Sequence, residues 1–97
     1  MADVTVTRRA DRDPMRFDVA VREGDATTGH DVTVSEADLE RLGAGRSPEA
    51  FVRACFVFLL QREPKESILS SFDVREIGRY FPEFEREIVR PAGDAPS

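Results

Sequence analysis

The chain predicts an α+β fold, a small three-stranded antiparallel sheet followed by, and packed against, three or four helices. Three observations carry that expectation. Apolar and polar residues alternate through the first third of the sequence, hydroxyl-initiated segments with helical spacing fill most of the rest, and nothing repeats at the period of roughly 20 to 50 residues that marks solenoids and propellers. With 97 residues, 40% apolar and 34% charged, the chain has the balance of a globular protein that builds one core. Residues 1–90 are expected to form one domain, with 91–97 as a disordered tail.

Residues 4–7 (Val-Thr-Val-Thr) and 17–22 (Phe-Asp-Val-Ala-Val-Arg) read as half-buried strands, the second with Phe17, Val19 and Val21 on one face. The charged stretch 8–14, ending in Asp13-Pro14, and the polar stretch 23–29, with Gly24 and Gly29, read as loops. Val32 and Val34 supply a third strand at 30–34 and complete a sheet with one buried face.

Ser35 begins a helix at 36–42, with its hydroxyl free to accept a first-turn amide and Asp38 in the capping-box position. Leu39 and Leu42 face inward, and Gly43-Ala44-Gly45 is expected to end the helix through left-handed glycines. Ser47-Pro48-Glu49 then opens a second helix, 48–62. By periodicity alone its apolar run, Ala54 to Leu60, fits a buried strand equally well; the cap decides for helix. Phe51, Val52, Ala54, Cys55, Phe56, Phe58 and Leu59 make a wide stripe, leaving Val57 and Leu60 on the far side near Arg53 and Gln61. A helix so nearly apolar all round needs cover on both sides, from its own chain or from a partner. After Pro64 come an apolar cluster (Ile68, Leu69, Phe72), a capping-box pattern (Asp73, Glu76), and helices at 74–81 and 83–89 separated by Pro82.

Function is read mainly by exclusion. One histidine, His30, and one cysteine, Cys55, do not furnish the ligand cluster of a zinc site or an evident Cys-His pair. There is no phosphate-loop, dinucleotide-binding or hydrolase motif, and the carboxylates are scattered over helix starts. The sequence therefore predicts no catalytic residue, no metal and no cofactor. The longest apolar run, Ala54 to Leu60, falls far short of the roughly 20 residues of a bilayer span, and the first residues lack a secretory signal. A cytoplasmic location is expected. A net charge of −5 without a basic cluster argues against nucleic acid as partner.

Residues 30–62 carry a strand (Asp31-Val-Thr-Val34), a Ser35-Glu36 helix start, a glycine-containing turn and Arg46-Ser-Pro-Glu49 opening a long apolar helix. In this order they resemble ribbon-helix-helix proteins. The resemblance implies a DNA-binding regulator or antitoxin in which a ribbon formed by dimerisation enters the major groove, here presenting Asp31 and Thr33. The stretch from Ser67 to Ile88, with its Ile-Leu-Ser-Ser-Phe-Asp and Ile-Gly-Arg-Tyr-Phe-Pro-Glu-Phe-Glu-Arg-Glu-Ile segments, is similar to that of short bacterial proteins to which no function is attached. It implies a bacterial origin.

The residues singled out for an interface are Val57 and Leu60, for their unassigned face, and Arg75, Arg79 and Tyr80, which lie close enough on a helix to meet an anion or an acidic partner. The two arginines are equally spaced to pair with Glu76 and Glu83. The reading that follows is a non-enzymatic interaction domain bound to another protein or to a second copy of itself, a homodimer. The ribbon-helix-helix regulator is the alternative.

Overall fold

The computed structural model describes residues 2–90; the expected tail at 91–97 lies outside them. It has four strands, β1 (Asp3–Ala10), β2 (Met15–Glu23), β3 (Ala26–Val34) and β4 (Ser71–Asp73), and four α-helices, α1 (Glu36–Leu42), α2 (Pro48–Leu60), α3 (Ile77–Tyr80) and α4 (Phe84–Ile88). Short 3-10 turns occupy Lys65–Ser67 and Val74–Glu76. The class is α+β, but the sheet is four-stranded and mixed, in the order β1-β2-β3-β4, and not three-stranded and antiparallel. β4 joins parallel to β3, matching Asp31 with Ser71, Val32 with Phe72 and Thr33 with Asp73. So short a strand sends one side chain, Phe72, inward, and displays no alternation to read.

The antiparallel strands are longer than the apolar alternation marks. β2 and β3 stay in register from Met15–Val34 out to Glu23–Ala26, so the connection shrinks to Gly24-Asp25, with only Gly24 at positive φ (+62°). A two-residue turn with a left-handed first position matches the right-handed twist of its strands. Thr27 and Thr28 are therefore strand residues, and the polar loop expected at 23–29 is mostly β-structure. Likewise β1 runs through Arg8 and Arg9 to Ala10, with a register shift between Arg8 and Ala10. It meets β2 through a cis Asp13–Pro14 bond.

One sheet face is dry. Phe17, Val21, Val32 and Val34 are fully buried, and α2 lies over them with Phe51, Val52, Cys55 and Phe56, also fully buried. Desolvation pushes the Cys55 thiol well above its ordinary range, so it is an inert core residue. Ser35 Oγ accepts from Asp38 N–H at 3.1 Å and Ser47 Oγ from Ala50 N–H at 3.2 Å. These caps satisfy amides with no partner inside the helix and fix where each begins.

The turn between these helices departs from expectation. Gly43 is right-handed, and the left-handed positions are Ala44 (φ 53°) and Gly45 (φ 81°). Gly43 is required by space: a Cβ there would sit 2.4 Å from the Leu39 carbonyl oxygen. The C-terminal segments also differ from two plain helices. Residues 74–81 comprise a 3-10 turn followed by the four residues of α3, and α4 is confined to Phe84–Ile88.

Candidate functional site

At the β4 edge of the sheet, a recess of about 330 Å³ opens between the end of α2, the segment 67–72 and α3. Leu59, Ile68, Phe72 and Ile77 line it as buried residues, and Phe81 as a half-buried one. Leu69 and Tyr80 also line it yet stay in solvent, 47% and 67% exposed. Glu63, Ser67 and Glu76 supply its polar atoms. Other large apolar residues are exposed only at Val57 and Val89 among the described residues, so two of the four such residues border this recess.

His30 positions one wall. Buried on β3, it donates from Nδ1 to the Leu69 carbonyl oxygen, an obligate acceptor, at 2.8 Å, and shares a 2.9 Å bond between Nε2 and Thr28 Oγ1. Its ring packs on Phe56 at 5.3 Å, and Phe56 packs on Phe72 at 5.9 Å. Both nitrogens are thus engaged, and the chemistry available to the ring is that of a brace tying segment 68–70 to the sheet.

A second brace is Arg62, just past α2. Its guanidinium bonds Glu83 at 3.0 Å, both oxygens of Glu87 at 3.0 and 3.1 Å and the Phe58 carbonyl at 3.1 Å, and lies 3.6 Å over the Phe58 ring. Phe58 in turn meets Phe81 and Phe84 edge-on at 5.9 and 5.1 Å. Arg46 completes the clamp by donating at 2.6 Å to the Ile88 carbonyl, an orphan acceptor at the end of α4, and at 2.7 Å to the Arg90 carbonyl just beyond it.

The interface residues read from sequence fall into separate places. Val57 is 47% exposed in a shallower groove of about 490 Å³ between α2 and α4, with Ala50, Arg53 and Gln61. Leu60 is half-buried against the core. Tyr80 alone of the five lines the recess. Arg75 does not pair with Glu76; its Nε meets Asp73 at 3.2 Å and Asp38 at 3.6 Å. Glu76 caps the Asp73 N–H at 2.8 Å, and Glu83 is taken by Arg62. The same capping box arises at 73–76. Arg79 is exposed and makes no ion pair among the described residues. Leu69 was not legible as a surface residue, because its neighbours Ile68 and Phe72 are core.

No described helix is long and apolar enough to cross a membrane. Among the described residues no group of three or more His, Cys, Asp or Glu side chains is arranged to hold a metal ion. Comparison with family models, curated proteins and solved structures finds no match.

Proposed function

We propose that the chain is a small bacterial cytoplasmic protein that acts without catalysis, as an interaction domain whose docking surface is the recess beside β4. The observation that carries this is the pair of large side chains, Leu69 and Tyr80, held in water at the rim of an apolar hollow. Already partly covered, each stands to gain about 1 kcal/mol on full burial, which a partner's apolar side chain would supply. Glu63 makes no ion pair among the described residues, so the chemistry favours a segment carrying an apolar anchor beside a basic residue.

The regulator reading needs the strand 30–34 at the seam of a dimer. Within one chain that strand bonds to β2 on one side and β4 on the other, and Asp31 is committed to Arg16 at 2.8 Å. Contact with protein is therefore the reading the geometry supports best.

The test is capture from the native host by the wild-type chain and by Leu69→Glu, with folding monitored by circular dichroism and the bound segment mapped by amide shifts. Loss of the partner with Leu69→Glu, and shifts centred on 59–81, are expected. Retention of the partner by folded Leu69→Glu, or tight binding of duplex DNA at moderate salt, overturns the reading.

A further inference from the structure

The opposite edge of the sheet is β1, an eight-residue strand that pairs with β2 and has no strand on its other side among the described residues. An edge of this length exposes a row of unpaired amides and carbonyls, the template for adding another strand. Its direction is marked by Arg53, whose Nε reaches the Val4 carbonyl at 3.5 Å. The Val4 oxygen therefore points away from β2, and with a period of two the backbone groups of Val6 and Arg8 point the same way.

We infer that β1 is a self-association edge, and that a second copy of this chain pairs with it antiparallel, with Val6 opposite the partner's Val6. Side-chain chemistry selects that register. Asp3, Thr5 and Thr7 lie on the outer face of the strand by their alternation with Val4 and Val6, which the burial pattern preserves through Thr7; Arg9, in the bulge that follows, is placed on the same face by its bond to Asp18, the partner of Thr7. In this register Asp3 faces the partner's Arg9, Thr5 faces the partner's Thr7, and Val4 and Arg8 exchange backbone hydrogen bonds across the dyad. Sliding by two residues either way removes the Asp3–Arg9 match, and a parallel pairing sets like charges side by side.

The match extends an existing ladder. Asp3 stands opposite Arg22 on β2, and Arg9 bonds Asp18, so the new pair alternates signs along a row crossing both sheets. The long Arg53–Val4 contact is exchanged for a shorter backbone bond. The recess beside β4 remains at the outer ends of the doubled sheet, so this inference is independent of the docking surface proposed there.

Sedimentation across a concentration series should show a monomer–dimer equilibrium. Val6→Pro, which removes the central donor from a position an edge strand tolerates, should weaken it at least about tenfold. Register is read by mild oxidation of Thr5→Cys and Thr7→Cys chains, whose new thiols are exposed while Cys55 is buried. Mixed, the two should crosslink as a heterodimer in much higher yield than either alone. A monomer at every concentration overturns the inference, as does equal crosslinking of Thr5→Cys alone. A dimer dispersed by Leu69→Glu and indifferent to folded Val6→Pro assigns self-association to the recess, and also overturns it.

Discussion

The two ends of the chain are held together by different physics. From β1 to β3 the structure is a continuous antiparallel meander with tight connections, in which each residue's face follows from its position in the strand. From Lys65 to Ile88 no element exceeds five residues, and elements this short hold no shape through their own hydrogen bonds. Their positions are set from outside, by His30, by Arg62 and by the aromatic contacts of Phe56 and Phe58. A regular half can therefore tolerate change at many positions, whereas the irregular half depends on a few distant side chains.

The sharpest way to break this arrangement is His30→Ala. It opens a cavity beneath Phe56 and leaves the Leu69 carbonyl without its donor, at a cost of about 3 kcal/mol. Thermal or urea unfolding measures the total. Hydrogen exchange tests the contrast: protection should fall most in 68–73 and least in β1–β2. A uniform loss would mean that the two regions unfold as one body.

Arg62→Ala should cost less, about 2 kcal/mol, because its side chain keeps 20% of its surface in water. Glu83 holds a lowered pKa, first through its own backbone hydrogen bond and then through Arg62, and would lose the second support. Exchange should accelerate in α3 and α4 while the sheet stays protected. Arg62→Lys should recover little, since a point charge cannot bond Glu83 and Glu87 together while lying flat on Phe58.

The same division explains what could be read in advance. Alternation exposes the inner face of β2 directly, and the caps at Ser35, Ser47 and Asp73 form because side-chain oxygen and amide are neighbours in sequence. Gly43 was legible as a turn residue but not for its reason, since the Leu39 carbonyl that excludes a side chain is a packing fact. β4 was hidden because a parallel partner lies some forty residues away and only Phe72 signals burial. At the recess, Tyr80 was singled out only for its place beside Arg79, whereas Leu69, whose carbonyl His30 holds, reads in sequence as one of an apolar core cluster. Arg75 was expected to pair locally, and its reach to Asp38 depends on how α1 meets the turn at 74–76.

The smallest effect belongs to the regular half and tests its ion pair to a helix. Arg8 grips Glu49 through two 2.7 Å bonds, from Nε and Nη2, holding the β1 end against the start of α2. Those bonds, led by the hydrogen bond to Arg8, hold the Glu49 carboxyl below its usual value of 4.5. A depressed carboxylate contributes stability that is complete above the unfolded pKa and disappears as pH falls through the folded one. Glu49→Gln should thus lower Tm at neutral pH by no more than about 1–2 °C, since the pair is partly exposed and screened by salt. The difference from wild type should begin to shrink as pH falls through about 4.3, the unfolded value, and vanish only in stronger acid, once pH is below the depressed folded pKa. If it persists there, the tie is held by packing of Arg8 on Phe17, 5.9 Å away, and not by charge.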